Sequence, residues 1–169
     1  QVGISWQKKK LQETVPAFEE DLLVLGHLHE RDNNLEARTT LLQGLPSEQV
    51  YTSLSFAMNK SQLEPELPTG QWLRGKAWAY PGLAPHRILV GDYRPSTAQS
   101  VPVPNVLDWE SARKSYLALR QKNPFLFEYP MIVGKVMPVF QKNQFLLQDI
   151  NQFALKIFNP ETWGDSLLA

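Results

Sequence analysis

The sequence predicts an α+β domain in which a helical N-terminal half precedes a central Pro-Gly β-hairpin, one amphipathic helix and a C-terminal antiparallel β-meander. Three observations predict this class. Apolar residues recur at helical spacing in the first half, a Pro-Gly pair separates two strand-like runs near the middle, and three short apolar runs with tight polar breaks follow near the end. Helices segregated from antiparallel strands are typical of α+β proteins.

The first half of the chain predicts three helices with short connections. The first covers residues 16–32 with Thr14 as its N-cap, because Pro is tolerated in a first helical turn. The second covers residues 35–43 and ends at Gly44, and the third covers residues 48–58 with Ser47 as its cap. The apolar stripe of the first helix consists of Phe18, Leu22, Leu25 and Leu28.

The centre of the chain predicts a hairpin. Residues 71–80 and 86–93 are the two strand candidates, and Pro81-Gly82 between them is a strong turn pair. Residues 95–105 contain three prolines and form an extended linker. We therefore expect one domain over residues 1–169, with a possible internal boundary at 95–105.

The last third predicts a helix followed by short strands. Asp108 caps a helix over 109–122, and Asn123-Pro124 ends it. The apolar runs 135–140, 144–150 and 153–158 then predict the meander. Pro138 places the first of these strands at an edge of the sheet, because Pro cannot donate to a central ladder.

Composition limits the classes of function. The chain has 169 residues and no net charge. Because it contains no Cys, it has no disulfide, no thiol nucleophile and no Cys-ligated zinc. No apolar run approaches the roughly 20 residues that a membrane helix needs, and no signal-peptide pattern occurs, so we expect a cytoplasmic protein without membrane contact. The charge asymmetry is weak: residues 1–67 carry −4 and residues 68–169 carry +4.

The candidate binding residues surround the predicted hairpin, and they are Tyr80, His86, Arg87 and Arg94. Aromatic rings beside Arg form surfaces that stack on bases, hold anions or anchor protein partners. The alternative is structural: the aromatic residues fill the core, and Arg87 pairs with a local acid. The pair His86-Arg87 has no structural role evident from the sequence.

Other polar residues point to no catalytic or metal site. His27 and His29 suit metal ligation on a strand, but they diverge by about 200° on the predicted helix. Asp149 lies in a turn-like stretch, and an Asx-type turn explains it without catalysis. Because no nucleotide-binding, hydrolase or zinc-protease motif occurs, we assign no catalytic, cofactor or metal residues.

Two stretches resemble bacterial proteins, notably from cyanobacteria, that are encoded beside SWIM-type zinc-finger proteins. These stretches are residues 117–149, "LALRQKNPFLFEYPMIVGKVMPVFQKNQFLLQD", and residues 80–90, "YPGLAPHRILV". The ending "WGDSLLA" is similar to a point where such chains continue, so the resemblance implies a fragment. It also implies a cytoplasmic accessory protein, a partner of a nucleic-acid-binding protein.

The sequence thus predicts a non-enzymatic protein-interaction or scaffold module. The alternatives are a nucleic-acid-binding accessory module, which would use basic and aromatic residues of the central hairpin, and an enzyme with an unrecognised site. The first predicts an exposed apolar patch beside the hairpin or an edge strand. The second predicts salt-dependent binding to single strands.

Overall fold

A computed structural model of the protein describes residues 7–32, 34–58, 63–82, 86–98, 102–141 and 144–156. These residues form two helices and eight strands. The chain divides into two compact units, the first comprising Gln1–Val103 with Leu126–Pro130 and the second comprising Pro104–Phe125 with Met131–Ala169. The division after Val103 lies within the linker 95–105 that the sequence marks as a boundary.

The first unit is a closed five-stranded barrel. Its strands follow the order β1-β2-β3-β5-β4, with β4 closing onto β1, and all pairs are antiparallel except β3 with β5. This strand order and the parallel β3–β5 pair are those of OB-fold barrels, which are five-stranded Greek-key barrels. The elements are α1 (Lys8–Thr14), β1 (Phe18–Asp32), β2 (Leu35–Leu45), β3 (Val50–Met58), β4 (Trp72–Ala79) and β5 (His86–Pro95).

The core of the barrel forms from alternate residues of its strands. On β1, Leu22 and Val24 point inward, where they meet Leu42 of β2 and Leu73 of β4. Burial of such side chains is the main favourable contribution to folding. The complete buried cluster is Leu22, Val24, Leu42, Leu73, Ala77 and Ile88.

Part of the first unit extends beyond the closed barrel. β1 pairs with β4 only over residues 18–23, and a β-bulge follows between Val24 and Gly26. From there residues 26–32 pair with 35–41 of β2, which pair in turn with 52–58 of β3. We call these three segments the three-stranded extension.

The predicted α+β class and its helical N-terminal half are wrong. Residues 18–32, 35–45 and 50–58, which the sequence predicts as helices, are the strands β1, β2 and β3. The helical spacing on β1 is accidental, because both faces of this strand are covered: Leu22 inside and Leu23 outside are each almost fully buried. A strand covered on both faces shows no simple alternation of apolar and polar residues.

The predicted central hairpin is confirmed in its described part. β4 and β5 pair antiparallel, with Ala79 opposite Ile88, and a register shift lies between Gly75 and Ala77. Residues 83–85 of the predicted turn lie outside the described residues.

The second unit contains one helix and a small sheet. Helix α2 (Trp109–Lys122) has the predicted bounds, and the Asp108 side chain accepts a hydrogen bond from the Ser111 N–H at 2.7 Å as its N-cap. This bond lowers the pKa of Asp108. The strands β6 (Met137–Gln141), β7 (Gln144–Gln148) and β8 (Ala154–Lys156) pair antiparallel in that order, so β6 with Pro138 is an edge strand.

No helix in the described ranges is both long enough and apolar enough to cross a membrane.

Candidate functional site

Two of the four predicted binding residues are in contact. The Arg87 guanidinium lies over the Tyr80 ring, 4.5 Å from its centroid, and the Tyr80 N–H donates to the Arg87 carbonyl at 2.9 Å. This is a cation–π contact, whereas the structural alternative from the sequence was that Arg87 pairs with a local acid. Nε of Arg87 is buried and has no hydrogen-bond partner among the described residues, so this N–H donor is unsatisfied there.

The other two predicted residues do not join this pair as one site. Arg94 is seven residues further along β5, which corresponds to roughly 23 Å along a strand. His86 is exposed at the start of β5, opposite Tyr51 of β3. The binding role of all four residues stays a prediction. Tyr80, His86 and Arg87 lie at the turn end of the β4–β5 pair, and Arg94 lies near the other end of β5.

Arg94 lies instead in an open groove on β4 and β5. The groove measures about 360 Å³, and Arg74, Lys76 and Tyr93 line it with Arg94. Arg74 is paired with Asp21 at 2.9 Å, and Asp21 also accepts from the Ser96 hydroxyl at 2.5 Å. Glu19 and Asp92 line the same groove, so its charge is mixed.

Of the two tryptophans of β4, Trp72 is buried as the structural alternative predicts, whereas Trp78 is half-buried. Trp72 is buried, and Trp78 packs closely on Gly91, where an added Cβ would lie 2.7 Å from the Trp78 ring atom Cζ3. The Trp72 ring is therefore not a free stacking surface, and the Trp78 ring lies against Gly91.

The histidines of β1 converge, contrary to the expectation from a helix. Because residues two apart on a strand face the same side, His27 and His29 both approach Glu66, with Nε2–carboxylate distances of 3.7 and 3.2 Å. The His27 ring is also bonded at both nitrogens: Nδ1 is 3.0 Å from the Thr40 hydroxyl, and Nε2 is 2.7 Å from the Leu67 carbonyl oxygen.

This cluster holds the connection between β3 and β4 rather than a metal. Arg38 is buried beside the histidines, and its Nη2 donates to the carbonyl oxygens of Glu64 at 2.7 Å and Pro65 at 3.2 Å. We call residues 63–68 the strap. Within the described ranges no group of three His, Asp or Glu side chains is placed to hold a metal ion, and the Arg38 charge beside Glu66 disfavours a cation there.

A buried carboxylate, that of Glu20, organises the β2–β3 turn. Glu20 accepts hydrogen bonds from the Ser47 N–H at 2.8 Å and the Tyr51 hydroxyl at 3.2 Å. Burial raises the pKa of Tyr51, and the nearby Glu20 charge raises it further. Gly44 is required at its position, because a Cβ there would overlap the Glu20 carboxylate. The hydrogen bonds of Glu20 to described residues thus hold the β2–β3 turn and the start of β3.

Asp149 has the structural role that the sequence predicts. Its Oδ1 accepts from the N–H groups of Asn151 at 2.9 Å and Phe153 at 3.0 Å, which forms the turn between β7 and β8. Its Oδ2 accepts from the Trp109 N–H at 2.9 Å, at the start of α2. All three bonds are internal to the second unit, so they leave no free carboxylate for catalysis.

An apolar surface on the three-stranded extension was missed by the sequence analysis. Leu28, Leu35 and Phe56 are 50%, 41% and 63% exposed, and they lie on the outer face of β1, β2 and β3 respectively. The signal for it was the period-two pattern of Leu54, Phe56 and Met58, which the predicted helix obscured. We call the set Leu28, Leu35, Leu54 and Phe56 the apolar face.

The second unit also exposes large apolar side chains. Phe140, Phe153 and Leu155 are 70%, 61% and 52% exposed. Phe140 and Leu155 share one face of the small sheet, since the register places them beside Phe145 and Leu147.

No protein-family model, curated protein or solved structure matches the chain.

Proposed function

We propose that the protein is a non-enzymatic interaction module that binds a protein partner through the apolar face. The observation that carries the proposal is the exposure of Leu28, Leu35 and Phe56 on adjacent strands of one sheet. Scattered single apolar residues are normal on protein surfaces, whereas a contiguous patch with a polar rim is typical of interaction sites. As part of the same proposal the module works in the cytoplasm as an accessory protein, which the resemblance to proteins encoded beside SWIM-type zinc-finger proteins implies.

The chemistry of the rim supports a protein partner over a small molecule. Glu30 is exposed on the same face of β1 as Leu28, and the exposed Asp32 follows it on that face, opposite Leu35. Such an arrangement of apolar centre and charged rim is the usual anatomy of a protein interface.

Leu28→Asp tests this proposal, because it places a charge on the apolar face. We expect proteins captured from a lysate of the native cell by the wild-type chain to be lost with Leu28→Asp, since burying an unpaired charge is costly. Leu155→Asp is the matched control, because Leu155 is 52% exposed on the second unit and Leu28 is 50% exposed. Loss of the same proteins with both variants, or with neither, would contradict the proposal.

A second candidate function is binding of single-stranded nucleic acid. Two observations favour it: the strand order is that of OB-fold barrels, many of which bind oligonucleotides, and Arg74, Lys76 and Arg94 line one groove with Tyr93. The mixed charge of the groove and the neutral chain weigh against it. A shared fold does not by itself imply a shared function, so this candidate ranks second.

Fluorescence anisotropy with a single-stranded oligothymidylate separates the two functions. If the groove binds nucleic acid through roughly three phosphates, the logarithm of the binding constant falls by about 2 per tenfold increase in salt. We expect Arg94→Ala to weaken binding and reduce that slope, while Arg113→Ala on the exposed side of α2 leaves both unchanged. A flat titration at low salt would eliminate this candidate.

A further inference from the structure

The β3 strand has an unpaired edge in the described part of the chain. β3 pairs with β2 along its whole length, from Val50 to Met58, but with β5 only at Tyr51 and Thr52. Over residues 53–57 no backbone hydrogen bond to any described segment other than β2 is found. Alternate N–H and C=O groups of this edge are therefore open to another strand.

The strap does not cover this edge. The strap lies under the inner side of β2 and β1, where Arg38 and His27 bind its carbonyl oxygens, and its following turn bonds to Val24 of β1. Its described contacts are thus on the side of the extension away from the β3 edge.

The two edges of the three-stranded extension differ in how they are protected. The outer edge of β1 carries charged or ionisable residues at four of the five positions 27–31, and the β-bulge at Val24/Gly26 precedes them. Charges and bulges are the devices by which proteins prevent pairing at an edge. β3 reads "SLSFA" at 53–57, with no charge, no Pro and no register shift against β2.

We propose that two copies of the chain associate by antiparallel pairing of their β3 edges about a twofold axis at Ser55. In this register Ser53 lies opposite Ala57 of the second copy, Leu54 opposite Phe56, and Ser55 opposite Ser55. The register uses the whole unpaired span. No like charges meet, and each Phe56 gains an aliphatic cross-strand neighbour, a pairing that stabilises antiparallel sheets.

The same pairing joins the apolar faces of the two copies into one surface. A twofold axis perpendicular to the sheet keeps both outer faces on one side, so Leu54 and Phe56 of each copy adjoin those of the other. The pairing extends a three-stranded sheet to six strands, which is within the usual size of natural sheets.

Sedimentation analysis of the full chain tests the association. We expect the weight-average mass to rise with concentration from 19.3 kDa towards twice that value. Phe56→Lys places a charge on the edge strand and should hold the mass at 19.3 kDa, while Phe140→Lys in the second unit should behave as the wild type. A wild-type mass that stays at 19.3 kDa, or association that persists in Phe56→Lys, would overturn the proposal.

A single introduced cysteine tests the register, because the chain has no Cys of its own. Directly opposed residues of antiparallel strands have Cα atoms about 4.5–5.5 Å apart, which a disulfide spans. Ser55→Cys should therefore give a covalent dimer on oxidation, and Ser53→Cys should not, since its two copies would be roughly 14 Å apart. Equal cross-linking of both variants indicates random collision and would overturn the register.

The association of two copies through β3 can be tested separately from the proposed partner binding. Leu28 lies on β1, two strands away from the β3 edge, so Leu28→Asp should abolish partner capture without changing the mass. Loss of partner capture in a chain that still dimerises, or the reverse, identifies which of the two inferences holds.

Discussion

Asp149→Ala is expected to unfold the second unit while the barrel stays folded. Of the described residues of this unit, only Val106 and Asp149 are buried, so its stability depends on the hydrogen bonds of Asp149 rather than on a large apolar core. The substitution leaves the N–H groups of Trp109, Asn151 and Phe153 without acceptors. Because hydrogen bonds to a charged acceptor contribute about 1.5–3 kcal/mol each, we expect a loss of roughly 3 kcal/mol for these part-buried bonds.

Hydrogen exchange of the three amides measures this effect directly. In Asp149→Ala the amides of residues 109, 151 and 153 should exchange much faster, together with those of α2 and β7. Asp149→Asn should have an intermediate effect, because it keeps one acceptor oxygen but directs an NH₂ group at one donor. Asp92→Ala, an exposed acid on β5, is the control. Unchanged exchange at the three amides in Asp149→Ala would contradict this account.

Arg38→Met is expected to release the strap and destabilise the barrel by about 2–4 kcal/mol, since hydrogen bonds from a charged donor contribute about 1.5–3 kcal/mol each. Arg38 is 5% exposed, and its guanidinium donates to the carbonyl oxygens of Glu64 and Pro65. Met fills part of the same volume but donates nothing, so the strap keeps its contacts with His27 and His29 but loses both hydrogen bonds from Arg38.

Exchange of the amides of residues 63–68, together with chemical denaturation, checks this expectation. The neighbouring strand offers a matched control in Arg31→Met, because the Arg31 side chain is 78% exposed and its pairing with Glu36 is a surface contact. Exposed ion pairs contribute about 0–1 kcal/mol, so the control should unfold almost as the wild type does. If both substitutions lowered the free energy of unfolding equally, the burial of Arg38 would not determine its contribution to stability.

The sequence predicted correctly where short-range signals were decisive. Helix α2 needed only Asp108, a helical apolar spacing and Asn123-Pro124, all within about fifteen residues. The hairpin of β4 and β5 needed two strand-like runs around Pro81-Gly82. Caps and turns involve only three or four consecutive residues, so they can be recognised from the sequence.

The prediction failed where competing local signals agreed on the wrong structure. Thr14, Gly44 and Ser47 resemble helix caps, and the spacing of Phe18, Leu22, Leu25 and Leu28 resembles a helix. The strands β1, β2 and β3 contain only five Val and Thr residues, so the side chains that favour β-structure give little local signal against the helix. Buried Glu20 further broke the inner alternation of β1, because a carboxylate at a core position is unusual.

The candidate site was predicted in part. The contact of Tyr80 with Arg87 follows from their positions on either side of one turn. The separation of Arg94 from this pair, the convergence of His27 and His29 on Glu66, and the apolar face all depend on strand assignment. The last two were hidden as soon as β1, β2 and β3 were predicted as helices, whereas the separation of Arg94 depends on β5, which was predicted as a strand.

The sequence by itself determined the local elements, namely α2 with its Asp108 cap and the β4–β5 hairpin, together with the absence of Cys and of net charge. Only the tertiary structure decided that the first half is a barrel and that Phe56 is exposed on its outer face. The physical reason is the range of the interactions. A helix satisfies its backbone hydrogen bonds within four residues, whereas β1 and β3 satisfy theirs with β4 and β5, up to about sixty residues away along the chain.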